Sequence, residues 1–97
     1  MLRSDAQRWI RAARTLHAEG RQLVYEADRV KDRNVQRALL TSAAHKWFVA
    51  ADALEAANRW RSADVVRHWA GFVERGHLDA TVRNMMRIRH NGGVTRM

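Results

Sequence analysis

Apolar residues recur along the first third of the chain at alternating steps of three and four. This stripe comprises Ala6, Trp9, Ala13, Leu16, Gly20, Leu23, Ala27 and Val30. Such steps place side chains on one face of an α-helix. Because the phase is kept across Gly20, we predict one long helix over about residues 4–31, which Ser4 and Gln7 begin as a capping box. The alternative is two helices with a break at Glu19-Gly20.

Two further helical patterns follow, separated by short turn signals. The second helix is predicted over about residues 34–57, where large and small apolar residues alternate: Leu40, Ala43, Trp47, Ala50, Leu54 and Ala57. Other apolar residues widen its apolar face, which is typical of a central helix. The third helix is predicted over about residues 60–75, after a break at Asn58-Arg59 and before Gly76, a natural helix stop.

A fourth, short helix is predicted over about residues 79–90. Asp79 can cap its start, and its apolar residues are Val82, Met85, Met86 and Ile88. Asn91-Gly92-Gly93 ends this helix, and we expect residues 91–97 to form a flexible tail. The sequence therefore predicts one all-α domain over residues 1–97, a small antiparallel bundle of three to four helices.

Residues 44–76 resemble one helical hairpin of the tetratricopeptide repeat. The positions that match the repeat's aromatic and small residues are Trp47, Ala50, Ala51, Leu54, Trp60, Ala63 and Ala70. The chain departs from the repeat at Arg67, where the repeat has an aromatic residue, and residues 10–43 hold no second copy. The resemblance implies a helical scaffold that binds another protein.

The charge of the chain adds a functional clue to this pattern. Among 97 residues, 18 Lys and Arg face 10 Asp and Glu, so the net charge is +8. All the basic residues except Lys31 and Lys46 are arginine, a bias that a GC-rich coding sequence also produces. The charge therefore has two explanations, a partner and genome composition. The Arg and Ala bias also suggests a bacterial or phage source.

Several classes of protein are disfavoured by composition. The absence of cysteine excludes disulfides, thiolate zinc sites and cysteine nucleophiles. No apolar run approaches the ~18 residues of a membrane span. The first residues lack the apolar core of a secretory signal, so we expect a cytoplasmic location.

No group of residues in the sequence predicts catalysis. The candidate paired carboxylates are Asp52 and Glu55, and no glycine-rich phosphate loop is present. Asp64 and His68 lie one helical turn apart and are interpreted as a charge pair rather than metal ligands. His17 is expected at the edge of the first helix's apolar stripe. We therefore expect a non-catalytic protein that uses no cofactor, metal or small-molecule substrate.

Aromatic residues beside arginines support protein binding as the first functional hypothesis. Three tryptophans are expected in the core: Trp9, Trp47 and Trp69. Tyr25 is predicted to project from the outer face of the first helix, Trp60 lies at a turn, and two methionines give the fourth helix an adaptable apolar side. We expect this surface to bind a protein partner or a second copy of the chain, as an adaptor, inhibitor or regulator. Its predicted residues are Tyr25, Trp60, Met85 and Met86.

Nucleic-acid binding is the alternative hypothesis. Arginines cluster on the outer face of the first helix and on the short fourth helix, where they could contact phosphates without reading sequence. The predicted residues are Arg8, Arg11, Arg14, Arg83, Arg87 and Arg89. The competing interpretation is a solvated basic face that keeps a small protein soluble.

Overall fold

The computed structural model describes residues 3–76, with side chains from Asp5 onward. Three α-helices follow one another: α1 (Arg3–Arg29), α2 (Arg33–Ala56) and α3 (Trp60–Glu74). This part of the chain contains no strand, so the predicted all-α bundle is confirmed. The helix ends predicted near residues 31, 57 and 75 fall at 29, 56 and 74. The predicted fourth helix and the tail at 91–97 lie outside the described residues.

The central position predicted for the second helix is also confirmed, since α1 and α3 both pack against α2. The apolar stripe predicted for α2 is buried along its length. Because alanine alternates with larger residues on this face, both neighbouring helices can approach closely. The buried apolar side chains of the core are Ala13, Val24, Ala27, Leu40, Ala43, Ala44, Trp47, Ala50, Ala51, Ala53, Leu54, Ala57, Ala63, Val66, Trp69, Ala70 and Val73.

Helix α1 continues without a break through Gly20, so the two-helix alternative is wrong. Gly20 is buried, and a Cβ atom at this position would overlap the indole of Trp47. The indole Nε1–H of Trp47 donates a buried hydrogen bond to the backbone carbonyl of His17, at 3.0 Å. The absent side chain therefore lets a tryptophan of α2 lie against the backbone of α1.

The turn between α1 and α2 is closed by two side chains. Asp32 caps α2, because its Oδ1 accepts hydrogen bonds from the backbone N–H groups of Asn34, at 2.8 Å, and Val35, at 3.3 Å. Gln36 donates from Nε2 to the carbonyl of Ala27, at 3.0 Å, and so satisfies one of the last free carbonyls of α1. These bonds hold the end of α1 beside the start of α2.

The turn between α2 and α3 is formed by a left-handed residue, Asn58, with a φ of 60°. Its N–H donates to the carbonyl of Glu55 at 2.9 Å, and the N–H of Arg59 donates to that of Leu54 at 2.8 Å. This pair of bonds is the Schellman arrangement, and asparagine tolerates the conformation better than most residues. Gly76, with a φ of 81°, follows the end of α3, as predicted.

Three positions in the core differ from the sequence expectations. Trp47 and Trp69 are buried as predicted, but Trp9 is 43% exposed. His17, expected at the edge of the stripe, is only 3% exposed. Val24, which is not part of the predicted stripe, is fully buried, so the face that α1 turns toward the bundle lies slightly to one side of the predicted one.

Candidate functional site

Two exposed tryptophans lie at the same end of the bundle. A salt bridge of 2.8 Å joins Lys46 Nζ to Glu19 Oε2 and shows which residues of the antiparallel helices α1 and α2 lie at the same level. Trp9 lies ten residues before Glu19, and Ala56, the last residue of α2, lies ten residues after Lys46. Trp9 is therefore level with the end of α2. Trp60 begins α3 a few residues later, and so lies at the same end.

This end also carries exposed arginines beside each tryptophan. Trp60 is 54% exposed and Trp9 is 43% exposed. Within the described residues, none of the neighbouring guanidinium groups forms an ion pair or a hydrogen bond. We call this surface the tryptophan–arginine end; its residues are Arg8, Trp9, Arg11, Arg59, Trp60 and Arg61.

A shallow depression of about 410 Å³ surrounds Trp60. Five consecutive residues of the turn and the first part of α3 line it: Asn58, Arg59, Trp60, Arg61 and Ser62. The left-handed turn at Asn58 sends the chain directly from α2 into α3. Trp60 therefore falls in the first turn of α3, near the end of α2, which leaves much of its indole exposed. The depression combines an apolar surface with two cationic side chains.

A cluster of ion pairs between α2 and α3 lies beside the tryptophan–arginine end. Arg67 of α3 donates from Nη2 to Asp52 Oδ1, at 3.1 Å, and to Glu55 Oε2 of α2. Its Nη1 lies 3.8 Å from Asp64 Oδ1. These hydrogen bonds hold the pKa of Arg67 above its usual value. The candidate carboxylate pair Asp52 and Glu55 is thus engaged in joining two helices.

The interior contains an aromatic cluster that includes His17. The His17 ring stacks on Trp47 with 5.6 Å between centroids, and Trp69 lies 6.0 Å from His17 and 5.9 Å from Trp47. Burial lowers the pKa of His17 to about 4, and the nearby charge of Arg21 adds to this effect. In the described part of the chain, His17 Nε2 and Arg21 Nε are buried without hydrogen-bond partners. This histidine is therefore a neutral core residue.

The two predicted partner-binding residues that the structure describes differ in their exposure. Trp60 is exposed, as expected, whereas Tyr25 does not project outward: it is half-buried and packs against the core. The expectation for Tyr25 was wrong because the face that α1 turns toward the bundle is broader than the predicted stripe. Met85 and Met86 lie outside the described residues.

The arginines of the alternative hypothesis fall into two groups. Arg8, Arg11 and Arg14 are all exposed on α1. The other three, Arg83, Arg87 and Arg89, lie outside the described residues. The interpretation of Asp64 and His68 as a charge pair was wrong, since Asp64 contacts Arg67 and the His68 ring packs edge-on against Phe72, with 4.8 Å between centroids.

The sequence did not show that Trp9 and the arginines beside Trp60 lie at the same end of the bundle. The stripe correctly placed Trp9 in phase with the core face. Its exposure follows from the register, which places it level with Ala56, where α2 ends. One feature of the sequence could have indicated this exposure. The turn at Asn58-Arg59 marks where α2 ends and therefore which residues of α1 are no longer covered by it.

A second depression, of about 580 Å³, lies at the opposite end, between the start of α2 and the end of α3. Its lining is mainly polar and includes Arg33, Arg37 and Glu74, with Leu40 and Val73 as its apolar side chains. No aromatic residue lines it. The larger depression therefore lacks the exposed indole that the smaller one contains.

Among residues 3–76, no group of three or more His, Asp or Glu side chains is placed to hold a metal ion. None of the described helices combines the length and the apolar character needed to cross a bilayer. No protein-family model matches this chain, and no curated protein or solved structure is significantly similar to it.

Proposed function

We propose that this chain is a small non-catalytic interaction protein, an adaptor, inhibitor or regulator, that binds a protein partner through its tryptophan–arginine end. The observation that supports this most directly is Trp60, 54% exposed between two arginines that have no partner in the described structure. Trp and Arg are the residues most enriched where protein interfaces concentrate their binding energy. An indole that is covered by a partner gains apolar burial, and each guanidinium can form charge-assisted bonds at its rim.

The rest of the described structure is consistent with a binding role. The carboxylates that could have served as a catalytic pair are bound by Arg67, and burial lowers the pKa of His17 to about 4, so this ring is neutral at pH 7. We place this activity in the cytoplasm, and we propose a bacterial or phage source on the basis of the arginine and alanine bias. The partner is a different protein or a second copy of the chain, and sedimentation of the purified protein over a concentration series separates these two cases.

The experiment compares proteins captured by the intact chain with those captured by two variants. Trp60→Ala removes the exposed indole, while Val35→Ala is the matched control, because Val35 is 46% exposed and also lies in the first turn of a helix, at the opposite end. We expect a partner that the intact chain and Val35→Ala retain and that Trp60→Ala loses. Identical capture by all three proteins would count against the proposal.

Nucleic-acid binding is the second candidate, and the exposed, unpaired guanidinium groups of Arg8 and Arg11 favour it. Phosphate contacts of this kind release counterions, so the affinity falls steeply as salt rises. The test measures binding to random duplex and single-stranded DNA over a salt series, with the Arg8→Ala/Arg11→Ala variant beside the intact chain. Absence of binding at low salt removes this candidate.

A further inference from the structure

Four arginines lie beside the two exposed tryptophans of the tryptophan–arginine end. Arg8, Arg11, Arg59 and Arg61 are exposed, and none is within ion-pair distance of a described carboxylate. At the opposite end the signs alternate along the chain: Glu26, Asp28 and Asp32 lie among Arg29, Lys31 and Arg33. Four positive charges without an ion pair in the described structure thus lie beside the exposed tryptophans.

The Arg67 cluster limits the extent of this positive surface. One arginine faces three carboxylates there, so the cluster has an excess of negative charge. Two of these side chains remain largely exposed, Asp52 at 74% and Asp64 at 78%. Asp64 lies one helical turn beyond Trp60 on the same side of α3. An anion that continued along α3 would therefore meet negative charge after the first turn.

The positions of these carboxylates determine which kind of negatively charged partner can bind at the tryptophan–arginine end. A nucleic-acid strand carries a phosphate at every nucleotide and extends beyond the end of the bundle, so a strand that followed α3 from Trp60 would pass the exposed carboxylates of the cluster. A short peptide segment can place its carboxylates only where the arginines lie. It can also supply an apolar side chain to cover the Trp60 indole in the depression.

We infer that the tryptophan–arginine end takes a short acidic segment of a partner protein that carries an apolar residue between its carboxylates. This inference rests on the proposed function and names the chemistry of the partner. The apolar residue covers the indole of Trp60, and the flanking carboxylates pair with Arg59 and Arg61. Trp9 and its arginines lie at the same end of the bundle, on α1.

The test uses the full chain and two synthetic peptides, whose binding is followed by fluorescence anisotropy of a dye on the peptide. The first peptide has glutamates around a central leucine, and the second has glutamine in place of each glutamate. We expect the acidic peptide to bind at least about tenfold more tightly, with an affinity that falls as salt rises, because charged contacts at a protein rim are screened. Equal binding of the two peptides would overturn the inference.

Matched variants locate the binding. Arg59→Ala/Arg61→Ala and Arg33→Ala/Arg37→Ala each remove two exposed arginines at the first part of a helix, at opposite ends of the bundle. We expect the first pair to weaken binding of the acidic peptide at least about tenfold, as loss of central interface contacts does, and the second pair to leave it nearly unchanged. Trp60→Ala is expected to weaken binding similarly. All these side chains are exposed, so circular dichroism should show the same helical content in each variant.

Two results would contradict the inference in different ways. Equal weakening by both arginine pairs would mean that the peptide responds only to net charge. Tighter binding of a single-stranded thymidine oligonucleotide, lost in the same Trp60 and arginine variants, would assign this end to nucleic acid. A protein partner that is lost in Trp60→Ala while the acidic peptide fails to bind would leave the proposed function in place and overturn only the acidic segment.

Discussion

Single residues decide how closely the helices approach one another. Gly20 lies against the indole of Trp47, and that indole donates its hydrogen bond to the carbonyl of His17. The same tryptophan stacks on the His17 ring, so one contact region combines a close backbone approach, a buried hydrogen bond and a ring stack. Replacement of Gly20 and replacement of His17 should therefore each change the free energy of unfolding. The physical cause differs between the two positions, so each can be tested by its own measurement.

Gly20→Ala is expected to destabilise the protein although alanine is the better helix former. Helix propensity favours the alanine by about 1 kcal/mol. The new methyl group would overlap the buried Trp47 ring, and overpacking of this kind typically costs about 1–3 kcal/mol, to which displacement of the indole hydrogen bond adds. We expect a net loss of roughly 1–3 kcal/mol in the free energy of unfolding, measured by urea denaturation.

Gly71→Ala is the matched control for Gly20→Ala. A Cβ atom at this position in α3 would lie 3.3 Å from Nη1 of Arg75, the mobile end of a long side chain that can move aside. Here helix propensity should prevail and stabilise the protein by up to about 1 kcal/mol. An increase in stability at both glycines would show that the Trp47 contact with Gly20 is not tight.

The second prediction at the residue scale is a loss of stability in mild acid. The pKa of His17 is about 4 in the folded protein, because the ring is buried, and 6.5 is its ordinary value. Between these values the unfolded chain binds the proton and the folded chain does not, so the free energy of unfolding falls as the pH drops from 6.5 to 4. The full effect is roughly 3 kcal/mol, and it is absent above the unfolded pKa.

Urea denaturation at several pH values, with His17→Phe beside the intact chain, measures this effect. Phenylalanine keeps a flat ring against Trp47 and cannot take up a proton, so the variant should lose most of the slope between pH 4 and 6.5. The same slope in both proteins would mean that carboxylates, and not His17, set the acid sensitivity.

At the scale of elements, the apolar pattern predicts where the helices lie. The positions at which the helices end determine which tryptophans remain exposed. All three described helices follow from steps of three and four residues, and their turns follow from Asp32, Asn58 and Gly76. The pattern alone does not give the register between helices, which is why Trp9 was expected in the core. Nor could it show that Arg67, which breaks the resemblance to the tetratricopeptide repeat, joins α3 to two carboxylates of α2.

Arg67→Gln is expected to loosen the contact between α2 and α3. The substitution removes two hydrogen-bonded ion pairs and leaves Asp52, Glu55 and Asp64 to repel one another. Because these groups are partly exposed, the loss in the free energy of unfolding should be only about 1 kcal/mol, and it should shrink in high salt. Arg37→Gln, an exposed arginine of α2 with no ion pair in the described structure, is the control and should have almost no effect.

At the scale of the whole molecule, the net charge of +8 becomes informative only when it is placed on the helices. The sequence indicated an arginine face on α1, and the antiparallel packing brings part of that face to the end where α3 begins. Composition could not show this, since the arginines at positions 59 and 61 lie far in sequence from those at 8 and 11. Chain reversal at two turns places both groups at one end, each beside an exposed tryptophan.

The most direct test of a partner-binding end is amide chemical-shift mapping of the isotope-labelled full chain during titration with the partner that the intact chain captures. We expect the largest shifts at residues 8–11 and 58–62, around the exposed tryptophans. Shifts concentrated at residues 33–37 and 73–76, around the opposite depression, would contradict binding at the tryptophan–arginine end.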